Sequence, residues 1–490
     1  MAPPDDTASR DGVTPAVGGE AVIEALRAEN VLLRAEVVAL TGRLAELERR
    51  LGLNSSNSGQ PPSSDGLKKP PRTRSLREPS NRKPGGQKGH KGETLRQVAK
   101  PDTVIDHFPF SCADCSEELI PAMSTGYSAR QVFDLPEPPP PVVTEHRAHV
   151  CACPHCGTKT SASFPEGINA PVQYGPRIMA IVVYLLHYQL LPEDRLAELM
   201  AALLGVKLVP ATIARMSRSC AARLQDFVAT LGNLVAGAAV KHMDETGFRI
   251  GGKTQWLHVA STTLLTFYRV CAKRGSMMVV VSGVIVHDHF ASYYQMATGV
   301  LHALCNAHHL RELKALIEIE NEDWARKMHQ LLRRACHAVN LARERDGPLE
   351  PRLIELINRR YDAIVAEGMA FHEAQSPLEP ATTPEGQPKK RGRKRRRTGH
   401  NLLLRLATRK QDVLRFLIDP RVPFTNNEAE RDGRMMKVKQ KISGGFRSLE
   451  GATNFAIIRS AIGTALKQGW NVIQVLSQDS KTLVAKLQAG

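Results

Sequence analysis

The sequence predicts a multidomain α+β protein: an N-terminal coiled coil, a zinc ribbon, a helical helix-turn-helix region, and an α/β core with a mainly helical insertion. Three observations carry that expectation. Leucines recur every seventh residue near the N-terminus, two Cys-x-x-Cys knuckles follow, and two β-like runs split by Gly251-Gly252 precede a long stretch of helical periodicity.

At 490 residues the chain has length for roughly two to four folded units. Lys and Arg number 66 against 49 Asp and Glu, and the net charge of +17 favours a polyanion, with nucleic acid first among candidates. Ribosomal and membrane-surface proteins share such basicity. No apolar run is long enough to cross a bilayer and the N-terminus has no signal pattern, so a cytoplasmic protein is expected. Nine cysteines in so long a chain do not make a secreted disulfide scaffold; their clustering matters more.

Residues 1–19 are rich in Pro, Gly, Asp and Ala and are expected to be disordered. Over 20–53, Ile23, Asn30, Val37, Leu44 and Leu51 form one heptad column and Leu26, Leu33, Leu40 and Leu47 the other, the pattern of a parallel two-stranded coiled coil and so of a homodimer or higher oligomer. Asn30 would fix its register, because two facing amides satisfy each other only in that pairing. An amphipathic helix packed on its own domain is the alternative. Residues 54–100 read as a basic flexible linker, whose Lys68 to Lys91 half either lies along phosphates or is plainly solvated.

Within 101–163, Cys112-x-x-Cys115 and Cys153-x-x-Cys156 each let two thiolates reach one ion, and together they complete a closed tetrahedral Zn²⁺ site. Cys151 is the spare thiol, able to replace a ligand. Residues 132–136 and 142–150 read as the strands of the ribbon. Over 170–232, an apolar helix from Arg177 to Leu191, a second through Leu203, a turn at Gly205 and a third helix from Pro210 carrying Thr212, Arg215 and Arg218 fit a helix-turn-helix, although any αα-hairpin gives the same string. Arg215 and Arg218 are the candidate DNA contacts.

The core opens with the hairpin. Strand alternation puts Val240, His242 and Asp244 on one face and turns Glu245 away, which makes Asp244 the candidate site residue. A third strand runs over 264–270 with a short helix expected after it. A buried strand then ends at Asp288, with His287 and His289 facing opposite to it, against a His-Asp-His metal triad. Cys305 and His308 lead into a helix; His308 could approach the site, a hydrogen-bonding or partly buried histidine being the default reading. Farther on, Thr425-x-x-Glu428 fits a capping box that would occupy Glu428 and leave Glu430 free, with Asn426, Asn427, Arg434, Lys437 and Lys441 on the face of Glu430. Three carboxylates, two on strands and one on a later helix, are the donors that a pair of hard ions, Mg²⁺ or Mn²⁺, requires for phosphoryl transfer. No Walker loop, GxSxG elbow or HExxH is present for nucleotide, acyl or peptide chemistry.

These residues resemble a bacterial transposase of the insertion sequence 66 family. The resemblance rests on Leu53 to Ser58 with Gly85 to His90, the two knuckles, His242 to Thr246, the strand ending at Asp288 with Cys305 and His308, Asn426-Asn427-x-x-Glu430-Arg431, and Ser443 to Asn471. It implies an RNase H-like DDE catalytic domain over 236–475, with a helical insertion and basic loop at about 312–420 and a tail at 476–490. It transfers the catalytic and magnesium-binding triad to Asp244, Asp288 and Glu430, and the family's basic residue seven beyond the glutamate to Lys437. It implies double-stranded DNA as partner, terminal inverted repeats and target alike, strand cleavage and transfer, nucleoid association, and accessory proteins of the same element as further partners. A non-catalytic DNA-binding regulator and a nuclease or resolvase without strand joining remain the alternatives. The run Lys389 to Arg397 either enters a minor groove or is a solvated charge run.

Overall fold

The structure is a computed structural model that describes residues 18–54, 57–58, 89, 95–275, 281–296, 299–376 and 396–489. Residues 1–17, most of the 54–100 linker, residues 276–280 of the expected short helix, and nearly all of Lys389 to Arg397 lie outside the described residues.

The chain runs α1 (Gly18–Gly52), β1 (Val150–Ala152), β2 (Lys159–Ser161), α2 (Pro176–Val183), α3 (Glu193–Leu204), α4 (Pro210–Gly237), β3 (Val240–Ile250), β4 (Lys253–Ser261), β5 (Thr266–Cys271), β6 (Val284–His287) and β7 (Leu301–Leu304). Helices complete it: α5 (Asn306–Ala315), α6 (Asp323–Glu344), α7 (Pro351–Glu373), α8 (Thr398–Thr408), α9 (Lys410–Ile418), α10 (Asn427–Ser443), α11 (Leu449–Lys467), α12 (Val472–Ser477) and α13 (Ser480–Gln488). Two compact units result, one of residues 1–73, 224–470 and 480–490, the other of 74–223 and 471–479. Among the described residues no helix is long and apolar enough to cross a membrane.

The first unit is built on a mixed sheet of order β5-β4-β3-β6-β7. Gly251 and Gly252, at φ of 52° and 81°, make the two-residue turn that joins β3 to β4, a backbone that side chains with a Cβ rarely adopt. β3 pairs antiparallel with β4 and parallel with β6, and β6 pairs parallel with β7. The edge strand β5 is covered by α11, whose Thr464 and Ser460 hydroxyls accept from the Thr266 and Tyr268 amides at 3.1 and 2.9 Å. Donors that would template aggregation are thereby used internally.

One large core joins Val284, Val286, Ala303 and Leu304 of the sheet to apolar faces of α5 through α9, centred on Trp324, Leu332, Tyr361 and Leu403. The helical insertion therefore packs on the strand that leads to Asp288. A smaller core of Val235, Met243, Ala260, Val281, Ile285 and Tyr293 holds another part of the sheet. The expected C-terminal tail is instead largely helical, α13 burying Ser480 and Leu483.

α1 leaves Ile23, Leu26, Leu33, Val37, Leu40, Leu44, Leu47 and Leu51 exposed. Its end is tied down by Asn57, a buried amide that donates to Gly52 O at 2.9 Å and Glu318 Oε2 at 3.2 Å while accepting from the Asn54 amide at 2.7 Å.

In the second unit, α2, α3 and α4 enclose Val182, Leu196, Met200, Val206, Ile213 and Met216. Gly205, at φ 64°, ends α3 with its own amide on Ala201 O at 3.2 Å and the Val206 amide on Met200 O at 3.1 Å, a glycine-closed helix end. The apolar helix expected over 177–191 ends its α-helical part at Val183 and continues as a wider turn over Tyr184–Tyr188, while α4 runs to Gly237. Strands expected over 132–136 and 142–150 do not form, apart from Val150 itself; the described strands here are β1 and β2, paired antiparallel around the second knuckle. Pro136 and Pro138 to Pro141 lack the amide protons a ladder needs, and the flanking valines are exposed with no face to pack on.

Candidate active site

Parallel pairing of β3 with β6 matches Val240 to Val284 and His242 to Val286, so the register points from Asp244 toward Asp288, one residue past the end of β6. The carboxyl of Asp244 is held by the Glu245 amide at 2.9 Å, and that of Asp288 by the Phe290 amide at 3.1 Å. α10 crosses β3 and β4 from above. It does so through Gly433, where a Cβ would stand 3.8 Å from Asp244 Oδ2. That is ordinary van der Waals distance, so this turn of α10 lies directly against the carboxylate.

Glu430 lies one turn earlier on α10. Burial pushes the Asp244 carboxyl up to about 8, and the charges of Glu245, Asp288 and Glu430 push in the same direction. The acids of β3, of the segment after β6 and of α10 thus act on one place. Low-dielectric surroundings and like charges both disfavour an ionised Asp244. The donors are all carboxylate oxygens and fit a hard divalent ion.

The folded Asp244 keeps its proton from its ordinary 3.8 up to about 8, where the unfolded chain has released it, so stability is fully present below that window and is lost as pH rises through it. Without added divalent ion, melting temperature should fall between about pH 5 and pH 8, and Asp244→Asn should flatten the fall. An equal fall in both proteins would remove Asp244 as its source.

Glu245 turns to the other face, as alternation requires, and its carboxylate accepts from Tyr293 Oη and from Arg274 Nε at 2.6 Å. Sequence reasoning missed Arg274. Its guanidinium lies 3.8 Å from the Phe290 ring centroid and 4.0 Å from Asp288 Oδ2, a fixed cation beside one of the three acids. Only the folded turn after β5 distinguishes it from the other basic residues. His287 packs against Tyr293, Tyr294 and His302, while His289 sits at φ 74° and contacts Tyr294 Oη at 2.8 Å.

The capping box does not form. α10 begins at Asn427 with Asn426 as N-cap and no side-chain cap, because the Asn426 amide is drawn into the core, donating to Met243 O at 2.8 Å and facing His242 Nδ1 at 3.0 Å. Asn426 therefore leaves the face assigned to it. Glu428 instead pairs with Arg431 at 2.7 Å and lies 3.7 Å from Lys467. Asp432, also missed, accepts from Ser261 at 2.6 Å, Thr266 at 3.2 Å and Lys467 at 2.8 Å, and anchors α10 to β4, β5 and α11. Acids at 428, 430 and 432 thus serve the surface, the site and the anchor.

His308 comes close to Glu430. His308 Nδ1 and Cys305 Sγ each stand 3.7 Å from Glu430 Oε1, and among the described residues these three form a cluster with all ligand atoms within 4.8 Å. Arg434, Lys437 and Lys441 are exposed along α10, with Lys437 Nζ 3.3 Å from Gly247 O. In the other unit, Arg215 and Arg218 are exposed on α4. The thiols interact within each knuckle, Cys112 with Cys115 and Cys153 with Cys156, but no three of these four sulfurs gather within 4.8 Å; Cys151 is exposed on β1, opposite Thr160.

Comparison with known families decides the class. A family model described as "Transposase IS66 family" matches residues 171–454, more than half of the chain and all of the acids above. The chain belongs to the IS66 transposase family. A second model, "zinc-finger binding domain of transposase IS66", matches residues 109–157 of the transposase and so includes all four knuckle cysteines. A third, "Family of unknown function (DUF6444)", matches residues 9–96. Comparison with curated proteins finds no match. Membership and the zinc-finger match together fit a transposase that binds DNA.

Proposed function

We propose that this transposase binds the terminal inverted repeats of an insertion sequence and catalyses metal-dependent strand cleavage and transfer, with Asp244, Asp288 and Glu430 as the catalytic triad. The observation that carries the reading is geometric: the β3–β6 register points from Asp244 to Asp288, and α10, which carries Glu430 one turn before Gly433, lies against the Asp244 carboxylate. A mixed sheet flanked by helices supports an RNase H-like core. The three carboxylates would hold two Mg²⁺ or Mn²⁺ ions, which when bound supply activation of the attacking oxygen and charge relief on the leaving one.

The chain's own residues do the positioning. The Glu245 and Phe290 amides fix the two aspartates, and α10 carries Glu430 together with Arg434, Lys437 and Lys441, placed to follow a phosphate backbone. Arg215 and Arg218 would contact the element ends. Cys112, Cys115, Cys153 and Cys156 would hold Zn²⁺ in the finger. The exposed leucine columns of α1 support a coiled-coil homodimer through residues 20–53.

Flanking DNA of the gene supplies the repeats for the test. Labelled repeat ends incubated with the full chain, Mg²⁺ and target DNA should give joined product. Hydrolysis without joining would favour a nuclease, and binding without either a regulator.

A further inference from the structure

We propose that Cys305, His308 and Glu430 form a Zn²⁺ site distinct from the cysteine knuckles, and that filling it withdraws Glu430 from the cluster of acids. The second half rests on the reading of Glu430 as a member of that cluster; the site itself does not.

Geometry comes first. Zinc bonds to sulfur, imidazole nitrogen and carboxylate oxygen imply donor separations of roughly 3.4 to 3.6 Å around a tetrahedral ion. Glu430 Oε1 stands 3.7 Å from Cys305 Sγ and 3.7 Å from His308 Nδ1, and all three atoms lie within 4.8 Å of one another. The two edges at Glu430 Oε1 differ from the ideal ones by only a few tenths of an ångström.

Donor chemistry points the same way. His308 Nδ1 is shielded from solvent and has no hydrogen-bond partner, so a buried lone pair or N–H is left for something to satisfy. Cys305 Sγ accepts the Asn426 amide at 3.1 Å, and the Ala307 and His308 amides at the start of α5 face it without closing a capping hydrogen bond. Backbone donors around a sulfur are the outer shell that steadies a metal-bound thiolate. Burial, and after it the charge of Glu430, push the Cys305 thiol up to about 12. Sulfur and imidazole select zinc over magnesium, which takes oxygen. Binding breaks the Sγ–H bond, releases that proton to solvent and forms a zinc–sulfur bond.

A carboxylate oxygen engaged by zinc here is no longer free for hard ions beside Asp244. The site would thus let a borderline-soft ion hold the protein in an inactive form.

The full chain, loaded with Zn²⁺ and desalted, tests this. Wild type should retain one zinc equivalent more than Cys305→Ser or His308→Asn, and Co²⁺ substitution should show thiolate-to-metal absorption that Cys305→Ser loses in part. His308→Asn keeps the fold testable because this side chain is only half-buried. Equal zinc in all three proteins would overturn the site. Zinc loading should also weaken Mn²⁺ binding, followed by electron paramagnetic resonance, at least about tenfold in wild type and not in His308→Asn. Unchanged Mn²⁺ binding in zinc-loaded wild type would overturn the withdrawal of Glu430. Unimpaired cleavage by Glu430→Gln would instead overturn the catalytic reading and leave the zinc count to decide the site.

Discussion

Glu430→Gln is expected to leave binding of element ends intact and to lower Mg²⁺-dependent strand cleavage by roughly a thousandfold or more, equivalent to about 4 kcal/mol of lost transition-state stabilisation. The substitution keeps the shape of the side chain and removes only its charge. Glu430 lies one turn from Gly433, the point where α10 approaches Asp244, and its charge is one of those felt by the Asp244 carboxyl. An amide in its place would offer one neutral oxygen where an ion needs an anionic ligand. The control is Glu428→Gln. Its ion pair with Arg431, whose side chain is 64% exposed, is screened by solvent, so removal should cost about 1 kcal/mol of stability and leave cleavage near wild type. A quantitative cleavage assay on labelled ends compares the two. Full activity in Glu430→Gln with loss in Glu428→Gln would reverse the assignment.

Much of this site could be read from the sequence because the relevant signals are local. Gly251-Gly252 between two alternating runs specified the hairpin, and alternation alone separated Asp244 from Glu245, which the structure turns to Tyr293 and Arg274. An apolar strand ending at Asp288 was equally legible. The misreadings share a cause: each depended on which distant group a side chain finds. Thr425 and Glu428 have capping spacing, yet the Asn426 side chain gains two buried partners on β3, and the helix begins at Asn427. Valines at 142 and 143 have strand propensity, but the neighbouring prolines leave them without a ladder. Arg274 and Asp432 carry no local pattern at all. Their roles exist only once β5, the segment after β6 and α11 have been brought together.

Asp432→Ala should destabilise the protein by about 3 kcal/mol, the largest stability effect expected of any acid on α10. One carboxylate oxygen, Asp432 Oδ2, receives Ser261, Thr266 and Lys467, while the Asp432 carbonyl accepts Tyr268 Oη at 2.9 Å. Lys467 and Asp432 keep only 10% and 14% of their side-chain surface exposed, so removing the acid leaves an ammonium in a site of poor hydration with only the more distant Glu428 Oε2, at 3.7 Å, as counter-charge. The Thr262 and Leu265 carbonyls that Lys467 Nζ also reaches, at 2.8 and 3.3 Å, cannot neutralise it. Adding Lys467→Met to Asp432→Ala should therefore recover part of the loss, because an apolar pair avoids a buried ammonium that has lost its nearer carboxylate. Urea unfolding of the single and double variants measures the coupling, and a single-variant loss below about 1 kcal/mol would show the pair to be no more than a surface contact. Cleavage should fall with stability in Asp432→Ala. The anchor sits two residues from Glu430, and loosening it frees the only element that carries Glu430 to the face of β3.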